Sequence, residues 1–199
     1  MSRAVLISVR PEWCALIVDG RKTIEVRKSK PKLTPPFKCY IYCTYGQGLI
    51  EPKDAILPNH LLDQKVRKDA TWGNCVNGKV IGEFVCDGIY AVLKHPTIFA
   101  GHPLFFQAAV DESGLTHEQL EEYAQGKDLC GWHISDLVIY DTPKELSVFM
   151  KPCENSLYCE ECAMYREFTE QCGNKALVLS RPPQSWCYVE ELIEGGNNE

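Results

Sequence analysis

Val5-Leu6-Ile7-Ser8-Val9-Arg10-Pro11, followed after a short interval by Gly20-Arg21-Lys22-Thr23-Ile24-Glu25-Val26-Arg27, is the stretch on which the fold turns. Ala4 to Val9 is a compact β-branched run and reads as a buried strand. Pro11 suits the first turn of a helix, where its missing N–H costs nothing. Trp13, Leu16 and Ile17 then recur at helical spacing, and Gly20 is placed to stop the helix in a left-handed conformation. Thr23 to Arg27 alternates polar and apolar, as a half-buried strand does. Strand, helix and strand thus follow one another in under thirty residues.

Working outward, Phe37 to Tyr42 reads as a third strand, reached through the Pro31 to Pro36 linker. Residues 59–70 suggest a short amphipathic helix, with Leu61, Leu62 and Val66 on one side. Lys79 to Leu93 is the longest β-like run and is interrupted at Gly88. Thr116 to Tyr123 predicts a helix opened by a capping box, Thr116 capping and Gln119 reaching back. Trp132 to Tyr140 and Ala176 to Leu179 complete five or six expected strands. Many short strands with few helices, some joined by crossovers, predict an α+β fold: a small mixed β-barrel or strongly bent sheet with flanking helices.

The chain has 199 residues, enough for one good core. No run approaches the roughly 18 apolar residues of a membrane span, and Arg10 and Glu12 interrupt any secretory leader. The expectation is a soluble protein with no membrane partner. Eleven cysteines is an odd number, and Cys14, Cys39, Cys43 and Cys86 sit in apolar periodic segments, where free cysteine acts as a small hydrophobe. That usage favours a reducing cytoplasm over a disulfide scaffold. The net charge of −6 argues against non-specific duplex DNA binding. It is unevenly spread: residues 1–40 hold nine basic and three acidic side chains. Positive potential is therefore focused on one end of the chain, or else that end is simply a solvated basic face.

The quoted stretch resembles the ASCH signature, in which a strand and a helix lead into Gly-x-Lys-x-x-Glu-x-Arg. Gly131-Trp132-His133-Ile134-Ser135-Asp136-Leu137 and Arg181-Pro182-Pro183-Gln184-Ser185-Trp186-Cys187-Tyr188 are similar to the closing parts of a bacterial and phage subgroup of that family. The resemblance implies a PUA-like barrel over residues 1–150, a cysteine-rich insertion over 151–175, and a strand and tail over 176–199 that complete the domain. It also implies RNA or a nucleoside-like small molecule as the partner.

Alternation places Thr23, Glu25 and Arg27 on one face of their strand, about 6.6 Å apart, while Ile24 and Val26 turn to the core. A guanidinium offers planar bidentate contact, a carboxylate accepts from an exocyclic amine, and Lys22 adds a mobile point charge. Lys22, Glu25 and Arg27 are thus candidates to grip a base in a charged cleft. The plain alternative is an exposed ion pair worth less than about 1 kcal/mol. Trp132 and His133 are candidates for a stacking platform at a strand entrance, against ordinary core packing for Trp132 and a surface position for His133.

Some ASCH proteins resemble amidohydrolases acting on N4-acetylcytidine, and others are described as ribonucleases. That resemblance would make Lys22 catalytic with Glu25. Where the amidohydrolases carry threonine this chain has Glu25, which tends to keep the lysine charged. Glu83 is a candidate remote carboxylate, although alternation more simply turns it to solvent. A protein-interaction adaptor is a third class, suggested by the acidic remainder of the chain. In the tail, Cys153, Cys159, Cys162 and Cys172 surround a Cys-x2-Cys knuckle and predict a structural zinc site; an iron–sulfur cluster or free thiols could use the same residues.

Overall fold

The computed structural model describes residues 2–45, 77–93, 104–153, 165–166 and 171–192. The expected helix over 59–70 lies outside them. The opening stretch folds as β1 (Arg3–Val9), α1 (Pro11–Val18) and β2 (Ile24–Arg27), followed by β3 (Phe37–Cys43). Pro11 stands in the first turn of α1, and Gly20, just past its end, takes φ +77°. β1 and β3 pair in parallel, so α1 and β2 form the crossover between them.

The long run from Lys79 divides at Asp87 and Gly88 into β4 (Lys79–Cys86) and β5 (Ile89–Leu93). After β6 (Leu104–Phe105) come α2 (Phe106–Ser113) and α3 (His117–Ala124). Thr116 caps α3: its side chain accepts from the Gln119 N–H at 3.2 Å, and the Gln119 side chain accepts from the Thr116 N–H at 2.9 Å. The expected strand from Trp132 is two strands, β7 (Leu129–His133) and β8 (Ser135–Lys144). Two short strands, β9 (Tyr165–Arg166) and β10 (Gln171–Cys172), form an antiparallel ladder, and β11 is Trp186–Glu190.

Two larger sheets result, ordered β11-β1-β3-β4-β8 and β2-β7-β5-β6. β4 pairs with β8 in the first and β5 with β7 in the second, both antiparallel. One bent antiparallel ribbon therefore belongs to both sheets. Its bend is held where the His133 N–H donates to Gly88 O at 2.9 Å and the Ile134 N–H to Thr23 O at 2.8 Å. Gly82 stands where β4 meets β8 so closely that a Cβ would lie 2.4 Å from Val138 O. The fold is mixed α+β, and the pairings among the described residues do not close into a ring.

Two expectations need correction. Ala176 to Leu179 is no strand: Lys175–Leu177 forms a single 3-10 turn, and Val178 makes one bridge to Met150. Asn174 caps that turn by accepting from the Ala176 N–H, a local alternative to strand pairing. β2 also has no open face, since all four of its residues are buried. Ile24 and Val26 pack with Val92, Ala109, Leu120 and Leu129; the opposite, polar side of the strand is enclosed as well. The main core lies between the sheets and α1, and includes Val5, Ile7, Cys14, Cys39, Phe84 and Trp132. No helix among the described residues is long and apolar enough to cross a membrane.

Candidate functional site

Lys22, Glu25 and Arg27 meet. Lys22 Nζ lies 3.1 Å from one Glu25 carboxylate oxygen, and an Arg27 terminal nitrogen lies 2.8 Å from the other. Their relative exposures are 3%, 6% and 6%, which excludes a surface ion pair. The local sequence produces this arrangement in two steps. Gly20 ends α1, and the Lys22 N–H donates back to Leu16 O at 2.9 Å, fixing the turn. β2 then places Glu25 and Arg27 two residues apart on one side.

Each charge is held further. The Lys22 ammonium donates to Ile24 O at 2.8 Å and to Ser113 O at 2.9 Å, and lies 5.9 Å from the centre of the Trp13 ring. Arg27 donates from one terminal nitrogen to Ser8 O at 2.7 Å, and from the other to the backbone and hydroxyl oxygens of Ser185, both at 3.2 Å. Burial by itself would raise the Glu25 carboxyl, but the Lys22 and Arg27 charges and their hydrogen bonds outweigh it and hold it below the ordinary range. The cluster is two cations against one carboxylate, an excess of one positive charge enclosed in protein.

Trp132 is placed opposite Glu25 in the β2–β7 ladder and is completely buried. Its ring meets Phe37 edge-on at 6.0 Å and Trp186 at 5.9 Å. It is thus a core residue beside the cluster, not an open platform at a cleft mouth. Its indole Nε1 and the Arg27 Nε are buried donors with no hydrogen-bond partner among the described residues, as is Asn77 Nδ2. An unmet buried donor costs about 1–3 kcal/mol. His133 is one residue on and turns to the other side of β7, where its Nδ1 lies 2.6 Å from Asp87 Oδ1.

Glu83 does not join the site. It is paired with Tyr40 in register, on the face of the five-stranded sheet opposite Cys39 and Phe84. There it accepts from the Tyr140 hydroxyl at 2.5 Å and lies 2.9 Å from Lys38 Nζ. Alternation along β4 decides this, so the expected remote carboxylate is a member of a separate polar cluster. Ser8 and Ser113 serve the site through backbone oxygens alone, which residue type cannot announce, and Ser185 through its backbone oxygen and its hydroxyl.

The described cysteines are all free thiols. Burial, then contact with Cys43, raises the Cys14 thiol, and burial raises Cys86 to about 12. Such groups behave as inert core atoms. In the tail, Cys153 is half-buried and Cys172 is buried, while Cys159 and Cys162 lie outside the described residues. Among the described residues no three His, Cys, Asp or Glu side chains are grouped to hold a metal.

The segment carrying this cluster has a counterpart among known families. Residues 7–44 match the ASCH domain family model. The matched segment thus contains all three charged residues and the strand that carries Glu25 and Arg27. Among solved structures the chain is similar to ASCH from Zymomonas mobilis, with 17% identity, a TM-score of 0.47, and coverage of 94% of this chain and 88% of that one. Two single-substitution variants of the Zymomonas mobilis protein match with 17% identity and a TM-score of 0.45, covering 94% of this chain and 91% or 89% of theirs. No curated protein matches the chain significantly.

Proposed function

We propose that this chain recognises an RNA base or a modified nucleoside through the Lys22, Glu25 and Arg27 cluster. The observation that carries the reading is the buried excess cation: two basic groups share one carboxylate in an enclosed site. Such a cluster is a poor stabiliser, because apolar residues of like volume would often hold the core equally well. Ligand recognition accounts for such a cluster, and carboxylates shifted by specific charged partners, as Glu25 is, concentrate at such sites. The ASCH match supports the same ligand class, since that resemblance implies RNA or a nucleoside-like partner.

Recognition is preferred to hydrolysis for a geometric reason. The Lys22 ammonium directs its protons to Ile24 O, Ser113 O and Glu25, so it has no lone pair aimed at a substrate carbonyl. The test is titration of the protein with single-stranded oligoribonucleotides and free nucleosides at two salt concentrations, beside Lys22→Met. Binding that is weakened at least about tenfold by the substitution supports the reading. Equal binding by both proteins, or none by either, defeats it.

For the tail we propose a structural zinc held by Cys153, Cys159, Cys162 and Cys172, which would staple the chain and perform no chemistry. Elemental analysis of purified protein should give one zinc per chain, lost in Cys162→Ser. The free buried thiols accord with a reducing, cytoplasmic setting.

A further inference from the structure

We propose that Arg27 Nε and Trp132 Nε1 jointly receive one carbonyl oxygen of the bound base, an inference that rests on the nucleobase reading above. Both are buried donors lacking an acceptor among the described residues, a state that native proteins rarely leave unexplained. They share one face of the same ladder. Glu25 is opposite Trp132 and Arg27 opposite Cys130, so Arg27 and Trp132 are diagonal neighbours, roughly 7–8 Å apart at their backbones and within reach for long side chains.

Both side chains also run to the same place. The Arg27 guanidinium donates to Ser185, and the Trp132 ring packs on the adjoining Trp186. The remaining guanidinium nitrogens are committed to Ser8, Ser185 and Glu25, which leaves Nε as the donor to spare. Asn77 Nδ2, the other unmet donor, belongs elsewhere: the Asn77 side chain meets Cys43 at the end of β3.

The chemistry selects a carbonyl over a phosphate. The other N–H groups of the guanidinium are already committed to Ser8, Ser185 and Glu25, so the site offers one donor from each side chain to a single oxygen and not the several donors that a phosphate takes up. An indole N–H is a neutral donor suited to one oxygen. Uracil, cytosine and guanine each carry such an oxygen and adenine carries none, so the site should discriminate against adenine.

The four tryptophans give four indole N–H signals in a proton–nitrogen correlation spectrum, with Trp132→Phe assigning the one of interest. Uridine, cytidine, adenosine and inorganic phosphate are the probes. Uridine and cytidine should move the Trp132 signal and bind at least about tenfold more tightly than adenosine. Trp132→Phe should abolish that preference, with its other three indole signals reporting that the fold is intact. Arg27→Lys, which keeps the charge without Nε, should do the same and serves if the first variant does not fold. A Trp132 signal indifferent to bound uridine, adenosine binding as tight as uridine, or a shift produced by phosphate alone overturns the inference while leaving nucleobase recognition standing. Failure of every nucleoside and single-stranded RNA to bind removes both.

Discussion

Replacing Glu25 with glutamine keeps the shape of the side chain and removes the one negative charge between Lys22 and Arg27. The two contacts are 3.1 and 2.8 Å long. At an effective dielectric near 20 each corresponds to about 5–6 kcal/mol of attraction. Much of that is offset, because the carboxylate no longer has to be stripped of water, and mutual repulsion of the two cations is already present in the native protein. Removing one member of a buried pair leaves a net loss of about 3–5 kcal/mol. With a urea dependence of about 2 kcal/mol per molar, the midpoint should fall by roughly 2 M. Equilibrium urea unfolding at pH 7, followed by tryptophan fluorescence and by circular dichroism, measures it. Glu12→Gln, whose partner Arg10 is exposed at 3.8 Å, should stay within about 0.5 kcal/mol of wild type. Lys22→Met combined with Glu25→Gln should lose less than the sum of the two single losses. A Glu25→Gln loss below about 1 kcal/mol would mean that the cluster is solvated, and the case for an enclosed charged site would fail.

The same carboxylate sets a pH dependence. Its folded-state pKa is depressed, so the unfolded chain takes up the proton first; the contribution is full above the unfolded value of about 4.3 and is lost as pH falls through the folded value. Wild-type stability should therefore drop more steeply below about pH 4.3 than that of Glu25→Gln, as acid titration of the urea midpoint would reveal. Thr116→Ala removes the hydroxyl that accepts from the Gln119 N–H while leaving the Gln119 bond to the residue 116 N–H in place, and should cost about 1 kcal/mol in the same unfolding assay. Gly82→Ala drives a methyl into Val138 O and should cost about 1–3 kcal/mol and lower the melting temperature, as calorimetry would show. Unchanged melting would mean that β4 and β8 do not approach as described.

The opening of the chain was legible because local signals agree with the fold. Pro11 and Gly20 bracket α1, and the Thr116 cap and Gly88 break are where the sequence indicates. Periodicity placed Glu25 and Arg27 on one side of β2, and the turn after Gly20 brings Lys22 to them. It could not reveal that this side is closed, because the lid is made by Ser185 and Trp186, some 158 residues away in the case of Arg27 and Ser185. Trp132 carries the same lesson. A glycine before an aromatic residue looked like a strand entrance, but β7 lies between β2 and β5 in its sheet, and a central strand buries its large residues. Ala176 to Leu179 misled for the opposite reason: apolar content without a partner strand gave a turn and one bridge. α2 and β6 lacked a periodic signal strong enough to stand out beside their neighbours.

The enclosed polar side of β2 follows from the bent ribbon. Since β4 continues into β5 and β7 into β8, the two sheets cannot separate, and the four-residue β2 is held against α2 on one side and the main sheet on the other. Its apolar residues meet apolar neighbours there. Among the described residues, its charged side chains meet backbone oxygens, one carboxylate and a serine hydroxyl. Counting donors against these acceptors leaves Arg27 Nε and the nearby indole unmatched. A strand selected for stability alone would substitute apolar side chains and leave nothing unpaired. The proposed recognition accounts for the arrangement: donors fixed in direction by committed neighbours would meet an entering acceptor already oriented, so that the ordering cost of binding is small.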